Sequence, residues 1–287
     1  MIPGAFEYHR PQKLDDAIAL LAKHGEEARV VAGGHSLIPM MKLRLATPAH
    51  LVDLQDIGEL RAIRGDGATL LIGALATQRE VIASELLASK CPILRETAQQ
   101  IADPQVRYVG TIGGNVANGD PANDMPAVMM ALGASYRIMG RTGERDIPAR
   151  EFYRGSLDTA LEPGEILTSI RIPAPAQGHG YAYEKQKRKT GDYATAAAAV
   201  ILTFSRDACA SAAVALTNVA PTPLFAAAAG EALVRTRLDE AAVAEAVRQA
   251  MAIAEPAADQ RGPVDFRTHI AGVMVRRAIQ RAKARAN

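Results

Sequence analysis

The chain of 287 residues has only two cysteines, Cys91 and Cys209, and no tryptophan. An iron–sulfur cluster draws on about four thiolates, so this chain alone supplies none. Two isolated cysteines also rule out a Cys-x-x-Cys zinc or dithiol site. The histidines His9, His24, His35, His50, His179 and His269 are scattered, with no His-Glu-x-x-His spacing. No metal site is expected from that spacing. A formal net charge of only +2 excludes a dedicated nucleic-acid binder. No apolar run reaches the length of a transmembrane helix. The opening Met1-Ile2-Pro3-Gly4-Ala5-Phe6-Glu7 lacks the charged-then-apolar pattern of a signal peptide, so a cytoplasmic chain is expected. Any redox chemistry here must be carried by an organic cofactor.

What is present is an ordinary globular composition, 48% apolar and 22% charged, in a chain long enough for two or three domains. Two glycine-rich segments stand out. Val30-Val31-Ala32-Gly33-Gly34-His35-Ser36-Leu37 and Thr111-Ile112-Gly113-Gly114-Asn115 each follow an apolar stretch. Paired glycines let main-chain N–H groups approach an anion and allow positive φ without steric cost. Ser36 and Thr111 add hydroxyl donors. Two such loops from distant parts of the chain suggest a diphosphate held from both sides, hence a dinucleotide. Neither loop has Gly-x-Gly-x-x-Gly or Walker spacing.

Along the chain, Leu14, Ile18 and Leu21 share a helical face, and Arg29–Ala32 reads as a strand entering the first loop. Leu51–Leu54 and Thr69–Ile72 are further strands. Thr77-Gln78-Arg79-Glu80 is a capping box opening a helix to about Leu87, and another helix runs from Pro92 to Ile101. Asp124 is placed as N-cap of a helix Met125–Leu132 that Gly133 closes. Ser135–Met139 and Ile166–Ile172 read as strands, and Pro173-Ala174-Pro175-Ala176-Gln177-Gly178 as a linker. Beyond it, Ala196–Phe204 and Ala210–Asn218 read as paired strands. Three helices are expected at Leu224–Val234, Asp239–Ala254 and Phe266–Ala286. The basic end of the chain, from Arg261 on, reads as a solvated or subunit-facing surface.

Taken together, the two loops and the run Asp120-Pro121-Ala122-Asn123-Asp124 resemble the FAD-binding subunits of molybdenum hydroxylases, the xanthine dehydrogenase family. Within that family the likeness is to medium flavoprotein subunits of aerobic carbon monoxide dehydrogenases. Tyr181–Lys189, Gly191–Ala194 and Ala271–Arg277 carry the resemblance through the rest of the chain. It implies an α+β fold: a two-subdomain FAD-binding region of α/β units, 1–55 and 56–177, followed by a C-terminal domain, 178–287, with a small antiparallel sheet and helices. It implies an oxidoreductase subunit with FAD as cofactor and no catalytic acid, base or nucleophile of its own. Electrons would arrive from iron–sulfur clusters of a small subunit, fed by the molybdenum cofactor of a large subunit. They would leave to an external acceptor such as a quinone or respiratory component. A dimer of heterotrimers is implied, reaching the inner face of the cytoplasmic membrane only through the complex.

Residue by residue, the resemblance gives Ala32, Gly33, Gly34, His35, Ser36 and Leu37 to the pyrophosphate. Thr111, Gly113, Gly114 and Asn115 would hold its other side. Asp124 would bond a sugar-like hydroxyl chain, Ile101 and Ala102 would offer apolar contacts, Lys185 would sit near the pyrimidine end of the flavin, and Tyr193 would lie against the ring. The residues by themselves leave plainer readings open. Asp124 serves equally as a helix cap, His35 as a loop histidine, Lys185 as part of a solvated charge run, and Tyr193 as a core or interface aromatic. Rival functions are a self-contained flavin oxidase or dehydrogenase acting on a small molecule, and a non-redox nucleotide-binding module. A serine hydrolase lacks its Gly-x-Ser-x-Gly elbow.

Overall fold

Val52, Leu54, Ala17, Ile18 and Leu21 form the small core of the first unit. The computed structural model describes residues 2–286, so Met1 and Asn287 lie outside the described residues. Strand β1 (Glu7–His9), helix α1 (Leu14–His24), strand β2 (Ala28–Val31), helix α2 (Leu37–Lys42) and strand β3 (His50–Asp53) follow one another. The sheet order is β1-β3-β2, with both pairs parallel. Parallel neighbours require crossovers, which α1 and α2 supply. The first glycine loop is the turn from β2 into α2.

The second unit is built on strands β4 (Ile63–Asp66) and β5 (Thr69–Gly73), which open a sheet completed much later in the chain. Helices α3 (Gln78–Ala83), α4 (Glu85–Lys90), α5 (Pro92–Gln100), α6 (Pro104–Val109), α7 (Ile112–Ala117) and α8 (Asp124–Ala131) intervene. Then come β6 (Ser135–Gly140), β7 (Gly143–Pro148), the small pair β8 (Tyr153–Gly155) and β9 (Asp158–Thr159), and β10 (Ile166–Pro173). The sheet order β4-β5-β10-β6-β7 is antiparallel at every pair. Thr77 forms the expected capping box with Glu80. The helix after it is shorter than expected. Ser84 turns extended, with ψ 113°, and its hydroxyl caps α4 through the Leu87 N–H. A serine favours a cap over a helix interior, so one expected helix becomes two.

The third unit holds β11 (Gly180–Gln186), β12 (Ala196–Ser205), β13 (Ala208–Thr217) and β14 (Leu224–Phe225), antiparallel in that order. Helices α9 (Ala227–Glu231), α10 (Glu240–Ala252) and α11 (Val264–Arg285) cover one face. The helix expected over Leu224–Val234 is a correction. Leu224 and Phe225 pair with Leu216 and Ala215 of β13, and only the alanine-rich stretch behind them turns helical.

Alternation along β12 joins the units. Ala196, Ala198, Val200 and Leu202 face the core under α10 and α11, while Ala197 and Ala199 face α8. Apart from Asp124, helix α8 is apolar all round, and every residue of it is buried, as befits a helix held between two sheets. Alanines on β12 and β13 let it come close. The basic C-terminal helix is not a free solvated surface. Arg281 binds Glu184 at 2.7 Å, Arg285 binds Glu96 at 2.7 Å, and Arg267 is 3% exposed.

Candidate functional site

A cleft of about 810 Å³ runs between the first unit, the α6–α8 region and the third unit. That is near the top of the size range of roughly 300–1,000 Å³ for ligand pockets, room for an elongated ligand. Every residue singled out from the sequence lines it: Ala32 to Leu37, Ile101, Ala102, Thr111, Gly113, Gly114, Asn115, Asp124, Lys185 and Tyr193.

The two glycines of the first loop do different things. A Cβ on Gly33 would lie 2.5 Å from Val109 O and 2.8 Å from the Gly110 Cα, so Gly33 lets this loop dock on the segment leading to the second. Gly34 has φ 70°, in the left-handed region. The result is a run of backbone N–H groups, from Ala32 to Leu37, that donate to no acceptor among the described residues. The Ser36 side chain caps nothing either. Successive free N–H groups at a turn into a helix form a concave site for an anion.

The second loop is built otherwise. Ile112 N–H donates to Ala76 O, Gly113 N–H to Ala74 O, and Asn115 N–H to Thr111 O. Gly114 N–H donates to Thr111 Oγ1 at 3.0 Å. The N–H groups of Ile112–Asn115 are therefore spent inside the protein, so this loop offers an anion fewer free donors than the first. Gly113 is glycine because a Cβ would lie 2.5 Å from that of Ala74. Gly114 looks across at Ala32, whose Cβ would be 4.0 Å from a Cβ placed there. This loop forms a close wall opposite the first.

Asp124 is not the N-cap of α8, a second correction. Asn123 holds that position, and its Nδ2 donates to Asn115 O at 2.8 Å. The Met125 N–H donates to Asn115 Oδ1, so Asn115 ties the second loop to α8. Asp124, one residue on, turns its carboxylate towards the third unit. Lys185 Nζ donates to it at 2.8 Å and the Tyr183 hydroxyl at 2.5 Å. Both side chains of the ion pair are at most 5% exposed. Burial pushes the Asp124 carboxyl up, and Lys185 with Tyr183 pulls it back. Burial and the neighbouring Asp124 raise the Tyr183 phenol well above its ordinary value. Lys185 is thus a buried, paired cation and not part of a solvated charge run.

Ala102 has φ 43°, strained for a residue with a Cβ. Arg107 holds this turn, donating to Gln99 O, Ile101 O and Ala102 O at 2.9–3.3 Å. Tyr193 is 45% exposed at the edge of the cleft, with the Arg261 guanidinium 5.8 Å from its ring centre. His35 is exposed, packed beside Gly110.

Sequence reasoning passed over Gln78, Asn123 and Arg107. Gln78 is 2% exposed in the cleft wall, and its Oε1 is buried with no hydrogen-bond partner among the described residues. Only its place directly after the capping Thr77 hinted at a fixed position.

Residues 4–175 match the FAD binding domain in molybdopterin dehydrogenase, and residues 181–282 match the CO dehydrogenase flavoprotein C-terminal domain. The chain is 62% identical to the carbon monoxide dehydrogenase medium chain of Afipia carboxidovorans, over 100% of this chain and 99% of that one. It is 48% identical to the corresponding chain of Hydrogenophaga pseudoflava, over 99% of both. A crystal structure of Cu,Mo-CO dehydrogenase superposes with a TM-score of 0.99 at 62% identity, covering 100% of both chains. With a cleft walled by two glycine loops and matches along its whole length, the chain belongs to the FAD-binding flavoprotein family of the molybdopterin dehydrogenases.

Proposed function

We propose that this chain is the FAD-binding electron-transfer subunit of a carbon monoxide dehydrogenase complex. The observation that carries the reading is the unpaired N–H run of Ala32–Leu37 in the wall of a dinucleotide-sized cleft. The residues present fit the cofactor: an anion cradle at one end, an orphaned Gln78 Oε1 in the wall, and a buried lysine–aspartate pair at the other. Two relatives with carbon monoxide dehydrogenase names, at 62% and 48% identity, support the choice of complex within the family.

In this reading the backbone of Ala32–Leu37 and the Ser36 hydroxyl bind the pyrophosphate. Thr111, Gly113, Gly114 and Asn115 close the opposite wall. Asp124 accepts from the hydroxyl chain of the cofactor while it orients Lys185 at the pyrimidine end of the flavin. Ile101 and Ala102 exclude water from the ring, and Tyr193 covers its accessible edge. Bound FAD supplies the exchange of electrons that amino-acid side chains cannot. No acid, base or nucleophile of this chain touches the primary substrate. The units divide at 1–55, 56–177 and 178–287.

The partners in this reading are a small iron–sulfur subunit and a large molybdenum subunit in a dimer of heterotrimers, with a quinone as the outgoing acceptor. Among the described residues no helix is long and apolar enough to cross a membrane. In this reading the complex is cytoplasmic, with any contact at the inner face of the membrane made by its assembled surface. The test is purification from native cells, followed by flavin, iron and molybdenum analysis. FAD, iron and molybdenum with two further polypeptides are expected. A lone chain that carries FAD and turns over a small molecule by itself would replace this reading with an independent oxidase.

A further inference from the structure

Three histidines that are scattered in sequence meet on the first unit. His9 ends β1, His24 ends α1 and His50 opens β3. One ring nitrogen of each lies within 4.8 Å of the other two, and all three residues are part-buried. The parallel register explains the meeting, because it sets Glu7 against His50 and His9 against Val52 at the edge where α1 ends.

The spacing suits a tetrahedral ion. His9 Nε2 and His50 Nδ1 are 3.2 Å apart. A Glu7 carboxylate oxygen lies 3.4 Å from His50 Nδ1 and 3.8 Å from His9 Nε2. Ligands about 2.0–2.1 Å from a tetrahedral zinc ion are about 3.3 Å from one another, so these separations are close to the edges of such a tetrahedron. His24 adds an independent observation. Its Nε2 is buried and has no hydrogen-bond partner among the described residues. A buried ring nitrogen without a partner is costly unless something occupies its lone pair or takes its proton.

The geometry points to a binding site for one divalent transition-metal ion of the zinc class, held by His9, His24 and His50 with Glu7 as the carboxylate ligand. Imidazole nitrogens with one carboxylate select borderline ions such as Zn²⁺ over Mg²⁺ or Ca²⁺, which favour oxygen. The His24 ring is tilted by 30° to that of His50, with centres 3.6 Å apart. Capture turns it away from His50 by side-chain rotation. The ion then ties the three-residue edge strand β1 to β3 and to the end of α1. His24 directly precedes Gly25 and Glu26, which line the cofactor cleft, so the clamp steadies that wall as well.

The test is calorimetric titration of the chelator-stripped full chain with zinc chloride, beside His24→Gln and His50→Ala variants checked for folding by circular dichroism. One equivalent bound at micromolar concentration is expected for the unaltered chain, weakened about tenfold or more in each variant. Thermal unfolding of the unaltered chain should shift upward with zinc, and that of His24→Gln should not. His24→Gln keeps a polar group of similar reach at a helix end, which guards against a folding artefact at His50. No saturable binding, an undiminished equivalent in folded His24→Gln, or equal binding of magnesium would each overturn the assignment.

Discussion

At Ser36 a hydroxyl without a partner among the described residues stands within a run of unpaired N–H groups. A hydrogen bond to a charged group contributes roughly 1.5–3 kcal/mol. Ser36→Ala is therefore expected to weaken FAD binding about tenfold or more, with the melting temperature of the flavin-free chain unchanged; fluorescence titration of released flavin reads this directly. Lys185 raises a different question, because its ammonium is paired with buried Asp124. Lys185→Ala strips that partner and leaves a buried carboxylate, at a cost of about 3–5 kcal/mol for breaking such a pair. The variant is expected to retain FAD, melt lower, and show a lower flavin reduction potential. Asp124→Asn combined with Lys185→Ala should recover much of the stability but not the potential. A redox titration superimposable on the parent would remove Lys185 from the flavin site.

Among the elements, the Gln100–Pro104 turn depends on a residue outside it. Ala102 stays at positive φ because one guanidinium binds three carbonyls around it. Arg107→Met keeps the apolar stem of the side chain and removes all three bonds. The expected outcome is loss of retained flavin with helix and strand content preserved, compared by absorbance and circular dichroism on the same sample. The glycine loops differ for a related reason. Tertiary contact spends the N–H groups of Ile112 and Gly113 on Ala76 and Ala74, the helix cap spends those of Gly114 and Asn115 on Thr111, and those of Ala32–Leu37 have no acceptor among the described residues.

For the molecule as a whole, acid stability follows from paired carboxylates on several elements. Arg145 holds the Glu165 carboxyl below its ordinary value, and Arg137 does the same for Asp146. Their unfolded counterparts take up protons first as the pH falls, so the unfolded chain binds more protons and stability drops. Asp124 shifts the other way and opposes the trend, because its carboxyl is raised in the folded state. With more depressed groups than raised ones, urea midpoints should fall between about pH 5 and pH 3. The fall should be shallower in Arg145→Gln, where Glu165 no longer gains from ionising. An equal slope in both proteins would show that the Arg145 pair does not contribute.

Sequence alone determined the elements whose signals are local. The capping box at Thr77, Pro92 at the start of α5, the strand leading into the linker at 173–178 and the two glycine segments all announced themselves, because caps, prolines and glycines act over a few residues. Sequence likeness extended this to the family and the cofactor class. Tertiary structure decided what each motif does. It assigned Gly33 to loop docking and Gly34 to a left-handed turn, moved the cap from Asp124 to Asn123, and buried Lys185 against Asp124 across 61 residues of chain. It also brought together His9, His24 and His50, which no spacing rule connects. Local propensity depends on neighbours along the chain, whereas desolvation, ion pairing and ligand geometry depend on neighbours in space.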